Sequence, residues 1–162
     1  MTAERLVIDV ARLDRDGEDF EGEIDPTVVD YALTEGDFAK TSGGLRYRLF
    51  VQLLGEELLV RGAIAQDFVR TCSRCAIEFD ERIEVPSFVT SVEVADSDSF
   101  VDLTDELREA ILLDFPRYPV CRPDCRGLCP RCGADLNLGP CGCGDAGAPD
   151  ACWGGLDKLN LQ

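Results

Sequence analysis

LRYRLFVQLLGEELLVRGAI, residues 45–64, alternates along its length: Leu45, Tyr47, Leu49, Val51 and Leu53 stand at every second position, a Gly55-Glu56-Glu57 turn intervenes, and Leu58, Val60, Gly62 and Ile64 resume the period. Side chains leave a strand on alternate faces, so this spacing predicts a β-hairpin with one face on a core and one in water. Working outward, residues 4–13 alternate loosely and suggest a first strand, while Asp67–Thr71, Ile77–Val85 and Ser87–Val94 read as further β-type runs. Connections this short leave no room for crossover helices. Parallel βαβ units are thereby excluded, and an antiparallel β meander or a small barrel is expected.

Between the first strand and the hairpin, DRDGEDFEGEIDP (residues 14–26) sets Asp14, Asp16, Glu18, Asp19, Glu21, Glu23 and Asp25 against Arg15 alone. It reads as a solvated, partly mobile edge, with a docking strip for a basic partner as the sharper alternative. ADSDS (95–99) reads as a loop. VDLTDELREAILLDFP (101–116) has helical period: Asp102 or Thr104 can cap it, Leu103, Leu107, Ala110 and Ile111 share a face, and Pro116 stops it. One helix over 102–115, packed on the sheet, is expected, and the fold class is α+β. Near the end, Trp153, Leu156 and Leu159 suggest a short C-terminal helix or turn packing back on the core.

The chain of 162 residues is 45% hydrophobic. That suits one modest core, taken here as residues 1–116, with a cysteine-rich segment over 117–162 packed on it. No apolar run approaches the roughly 18 residues of a membrane span, and MTAERLVIDVARLDRD lacks the basic start and apolar centre of a signal peptide. A cytoplasmic protein with no membrane partner is expected. The formal charge is −16, from 32 acids against 16 bases. Such a surface repels polyanions over most of its area, so any contact with nucleic acid must be local or indirect.

Nine cysteines and no histidine make sulfur the dominant chemistry. A reducing cytosol and an odd count disfavour a disulfide framework, and Cys72-Ser-Arg-Cys75 lacks the βαβ setting of a thioredoxin-like redox pair. Eight of the thiols fall in close pairs: Cys72/Cys75, Cys121/Cys125, Cys129/Cys132 and Cys141/Cys143. Four pairs make two closed four-thiolate sites, and two structural zinc ions are expected. Cys129-Pro130-Arg131-Cys132-Gly133 is a strong knuckle, because Gly133 can take a conformation other residues resist and Pro130 stiffens the turn. Its natural mate is Cys141/Cys143, which leaves Cys72/Cys75 for Cys121/Cys125. Two groupings stay open beside this one: Cys121, Cys125, Cys129 and Cys132 around one ion with Cys72/Cys75 joined to Cys141/Cys143, or a single zinc with spare thiols. Iron also suits four thiolates, but no C-x-x-C-x-x-C pattern of an iron–sulfur site is present. Cys152 is left over and reads as a buried thiol beside Trp153. A closed site leaves no open position for water, so neither a catalytic metal nor a small-molecule substrate is expected.

TCSRCAIEF (71–79), DLTDELREAILLDFPRYPVC (102–121), CRGLCPRCGADLN (125–137), PCGC (140–143) and the final D-x-x-W-x-x-L-x-x-L (150–159) together resemble the YceD-like family, the large ribosomal RNA subunit accumulation proteins. The likeness runs from about residue 45 onward. It implies a non-enzymatic role in accumulating 23S-type ribosomal RNA, and it carries the family's metal-type cysteines onto positions 72, 75, 121, 125, 129, 132, 141 and 143. The tail departs from the family pattern at Asp150-Ala151-Cys152-Trp153. Arg122, Arg126 and Arg131, set among the cysteine pairs, are the candidate RNA-phosphate contacts, although two divalent ions held by eight thiolates add about −4 of charge beside them. The partner expected is large-subunit rRNA or a basic ribosomal protein; the alternative is a zinc-ribbon protein-interaction module unrelated to rRNA.

Overall fold

The computed structural model describes residues 5–33, 39–95 and 99–143. In chain order the described elements are β1 (Val7–Asp9), β2 (Glu18–Ile24), β3 (Ala39–Thr41), β4 (Leu45–Leu54), β5 (Glu57–Thr71), β6 (Glu78–Glu93), β7 (Phe100–Asp102) and α1 (Thr104–Leu113). The α+β expectation holds: one helix accompanies an antiparallel sheet, followed by the cysteine-rich segment.

β4 and β5 form the expected hairpin, with Leu54 paired to Glu57 across a turn of only Gly55 and Glu56. β5 is the central strand. One of its edges carries β4 and then, further along, β3; the other carries β6, and β2 joins the far edge of β4. The described strands form an open antiparallel sheet in which β4, β5 and β6 make a meander, and β2, β3 and β6 each have an edge that no described strand pairs. β1 and β7 pair separately, antiparallel.

Three sequence expectations need correction. The acidic stretch is a solvated edge, but residues Glu18–Ile24 of it are an ordered strand, β2, rather than a mobile segment. Phe20, Gly22 and Ile24 hold the inward period, Ile24 fully buried, while Glu21 and Glu23 stand opposite Arg48 and Arg46. The runs after the hairpin are not separate strands: β5 and β6 continue unbroken, and the register shifts where Gly62↔Phe88 gives way to Ile64↔Val85. The extra β6 residue lies at Pro86-Ser87, where a bulge on an edge strand tolerates a residue without an N–H. Gly62 faces this irregularity and is pressed against β4, since a Cβ there would lie 2.0 Å from the Arg48 carbonyl oxygen. Finally, residues 100–102 extend as β7, and the helix begins at Thr104, with the Asp102 carboxylate accepting the Thr104 N–H at 2.9 Å. The suggested C-terminal helix and Cys152 lie outside the described residues.

The core lies between the sheet and α1. Leu45, Val51, Leu58, Val60, Ile64 and Phe68 from β4 and β5 meet Leu103, Leu107 and Ile111. Phe68 packs edge-on against both Tyr31 (5.3 Å between centroids) and Phe115 (4.8 Å), which anchors the chain as it leaves the helix. Arg70 completes that anchor. It is 5% exposed, pairs with Glu81 at 2.9 Å, donates to the Pro116 carbonyl at 2.8 Å and lies 4.0 Å from the centre of the Phe115 ring. A buried cation held on three sides is costly to remove alone, because its partners are left desolvated and unpaired. Arg70→Ala is expected to destabilise the fold by about 3 kcal/mol in denaturant unfolding, and Arg70→Lys to recover only part of that, since an ammonium cannot make the same fork.

Candidate metal centres

The two strongest chemical clusters are built on the same local device. At the tip of the β5–β6 hairpin the Cys72 N–H donates to the Ile77 carbonyl at 2.8 Å and the Ala76 N–H to the Cys72 carbonyl at 2.9 Å. In the second loop the Cys129 N–H donates to Ala134 at 2.8 Å and the Gly133 N–H to Cys129 at 2.9 Å. Both loops turn through a left-handed residue, Ala76 at φ 59° and Gly133 at φ 72°. Each therefore points two sulfurs the same way. The sequence marks the second knuckle by its glycine; the first hides the same turn behind an alanine, at a strain of about 1 kcal/mol.

The strap after the helix brings the mates of the first knuckle. Both the N–H and the hydroxyl of Ser73 donate to the Pro119 carbonyl, at 2.8 and 2.9 Å, and the Cys121 N–H reaches the Cys72 sulfur at 3.4 Å. Arg74 then donates to the Cys125 carbonyl at 3.0 Å. Of the groupings left open by the sequence, the structure brings together Cys72, Cys75, Cys121 and Cys125 in one set and Cys129, Cys132, Cys141 and Cys143 in another, the four sulfurs of each within 4.8 Å of one another.

These two groups could hold metal ions. Four sulfurs at about 2.3 Å from a tetrahedral ion stand about 3.8 Å apart. Cys72 to Cys125 measures 3.9 Å, Cys75 to Cys121 3.7 Å and Cys129 to Cys141 3.4 Å. The spacing suits a single tetrahedral ion. Cys72, Cys75 and Cys125 are 2–4% exposed, whereas Cys132 is exposed and Cys141 and Cys143 half-buried. With Cys121 half-buried, the first group is the more enclosed; with only Cys129 buried, the second is the more open to solvent.

Charge is shared unevenly among the sulfurs. Burial opposes the Cys72 thiolate, yet the N–H groups of Cys121, Cys75 and Arg74 outweigh it and hold Cys72 down to about 6. The N–H groups of Cys132 and Arg131, with the Cys141 thiol, hold Cys129 to about 6 as well. Burial and its neighbouring sulfurs push Cys121 up to about 12, and the Cys132 contact followed by burial does the same to Cys143. Each group thus contains one sulfur that ionises readily and one that gives up its proton only to a stronger competitor.

The two groups are joined. The Leu128 N–H donates to the Arg74 carbonyl at 3.0 Å, and Leu136 to Gly127 at 2.9 Å. Asn137, which the sequence reading gave no role, lies between them. Its Nδ2 donates to the Cys125 sulfur at 3.5 Å, while its Oδ1 accepts from the Arg126 N–H and from the Arg122 guanidinium, each at 2.8 Å. Only the family-like ADLN box in the sequence could have pointed to it. Arg122, Arg126 and Arg131 are all exposed, and Arg131 also reaches the Cys143 carbonyl at 3.5 Å.

Outer hydrogen bonds to metal ligands typically carry about 10- to 100-fold of affinity. Asn137→Ala is accordingly expected to weaken metal retention at the first group by that factor, read by chelator competition. Ion uptake at neutral pH should release protons, and affinity should fall as the pH is lowered, most steeply below about 6, where Cys72 and Cys129 also hold theirs. A zinc competition titration across that range checks the sign.

Among known proteins, an uncharacterized protein of Mycobacterium tuberculosis is 34% identical over 106 residues, covering 57% of this chain and 51% of the relative. A protein of Zea mays described as large ribosomal RNA subunit accumulation protein YCED homolog 1, chloroplastic, is 34% identical over 61 residues, 38% of this chain and 18% of the relative. The Arabidopsis thaliana protein of the same description is 27% identical over 86 residues, 53% and 24% of the two chains. The chain spans about half the length of the mycobacterial relatives it matches. No solved structure matches significantly. Residues 87–160 match the family described as large ribosomal RNA subunit accumulation protein YceD, so the resemblance carried by the helix and the cysteine box is borne out.

Proposed function

We propose that this protein is a non-enzymatic ribosome-biogenesis factor that promotes accumulation of large-subunit, 23S-type ribosomal RNA, with one structural zinc ion in each four-cysteine group. The observation that carries the reading is the family match, which spans α1, the strap and the second knuckle. The sulfur geometry supports a mononuclear tetrahedral ion, and zinc suits four thiolates with no redox demand. A non-catalytic role is supported by the closure of both groups: with all four positions taken by sulfur, no place remains for a reacting water. Among the described residues no helix is long and apolar enough to cross a membrane, and we assign the protein to the cytoplasm.

The cationic rim is the part suited to RNA. Asn137 at 2.8 Å and Asp124 at 3.4 Å orient Arg122, Arg131 reaches the Cys143 carbonyl at 3.5 Å, and Arg126 sits between them in sequence on the loop that joins the groups. Guanidinium groups presented from a stapled loop contact phosphates without ordering a flexible arm first. Large-subunit rRNA is thus the favoured partner, and Arg122→Ala, Arg126→Ala and Arg131→Ala together should reduce RNA crosslinking several-fold while leaving metal content intact. If crosslinking is unchanged, the contact runs instead through a basic ribosomal protein.

Elemental analysis of reduced protein should find two zinc ions per chain and a colourless solution; visible absorption would assign iron. In cells depleted of the protein the 23S to 16S rRNA ratio should fall and be restored by the intact gene. An unchanged ratio would overturn the ribosomal RNA reading and leave a zinc-ribbon protein-interaction module.

A further inference from the structure

The edge of β6 that no described strand pairs and the adjoining face of α1 form a groove remote in character from the cysteine groups. Natural edge strands are protected by charge, proline or a bulge, because their unpaired N–H and C=O groups template further pairing. The first half of β6 has such protection, in Glu78, Asp80, Glu81, Arg82 and Glu84 and then the Pro86 bulge. The second half does not. Ser87, Phe88, Val89, Thr90, Ser91 and Val92 carry no charge, and among the described strands only β5 pairs with β6.

Beside this stretch runs a groove of about 340 Å³ between β6 and α1. Leu113, 79% exposed, lines it from α1, while Val89, 66% exposed and next to the core-facing Phe88, stands at its rim on the opposite face of β6. Glu106, Glu109 and Asp114 supply its charge, and no described lysine or arginine pairs with any of them. Glu106 Oε2 is buried there without a hydrogen-bond partner. The last turn of α1, whose carbonyls favour a cation, has no basic residue. An unpaired strand edge, exposed aliphatic side chains, an orphaned carboxylate oxygen and an unanswered helix C-terminus all lack the same complement.

We propose that residues 87–92 receive an extended, basic segment of a partner protein as an added strand, its aliphatic side chains beside Val89 on one face and its lysines or arginines on Glu106, Glu109 and Asp114 on the other. Main-chain pairing gives such a complex its affinity, and the groove's carboxylates select the sequence. A polyanion is repelled here. A second copy would bring like carboxylates together, and the chain's own residues 144–162 offer Asp145, Asp150 and Asp157 against only Lys158. The proposal goes beyond the ribosomal RNA reading and does not depend on it.

The test is a randomised nonapeptide library passed over the full metal-loaded chain. It should return peptides in which lysine or arginine alternates with aliphatic residues. Such a peptide should slow amide exchange over 87–92, bind more weakly as salt rises, and lose about tenfold or more in affinity on Glu106→Gln with Glu109→Gln. Val89→Ser, at an exposed position, provides a second variant that should weaken apolar engagement without adding charge or disturbing the core. Selection of acidic or unbiased peptides, or binding that leaves exchange over 87–92 unchanged, overturns the proposal. Protection of 87–92 that grows with protein concentration in the absence of peptide overturns it in favour of a second copy.

Discussion

Four sulfurs meeting at the tip of the β5–β6 hairpin set the terms for everything after α1. The helix could leave its C-terminus in many directions, and the strap that follows has little apolar area of its own. Arg70 on Pro116, Ser73 on Pro119 and the Cys121 N–H on the Cys72 sulfur lead it along one path, to where Cys121 and Cys125 complete the first group. An ion bound by these four sulfurs would close a loop of 46 to 53 residues and remove considerable freedom from the unfolded chain, about 4 kcal/mol by the chain-entropy argument for a link of that span. The second group is then carried by the first, through Leu128 on Arg74 and Asn137 on Cys125.

The electrostatics divide the molecule. A chain with a formal charge of −16 places three exposed arginines beside its sulfur groups. Its carboxylates crowd β2 and the face of α1. Many of the sheet's arginines are answered locally: Arg46 and Arg82 share Asp67, each at 2.7 Å, and Arg61 lies over Phe50. Such exposed pairs add little stability. They leave Arg122, Arg126 and Arg131 as local exposed cations at the cysteine-rich end, where Asp124 stands 3.4 Å from Arg122 and ion-loaded thiolates would add negative charge beside them.

Much of this was legible in the chain. Leu45 to Ile64 alternates cleanly because one face is buried and the other wet, and Leu103, Leu107 and Ile111 show helical period because they face the sheet. Cysteine spacing pointed to the two groups, since a short loop constrains which sulfurs can meet. The misses have physical causes. In β2 the inward positions are Phe20, Gly22 and Ile24, and a glycine among glutamates conceals the period. Pro86 reads as a breaker, but a bulge on an edge strand excuses its missing N–H. β7 is three residues long and defined only by β1, nearly a hundred residues away, so no local pattern could report it. Asn137 matters through a contact made only after both loops have folded.

β6 begins beside the first knuckle and continues past the groove on α1 without interruption. At about 3.3 Å per residue, Glu78 and Phe88 stand roughly 33 Å apart along one ribbon. Occupants at the two ends would not collide, yet each would hold the other at a fixed and high effective concentration. Two individually weak contacts on such a ruler add as avidity, and the distance between them becomes a property that selects which assemblies can be bridged.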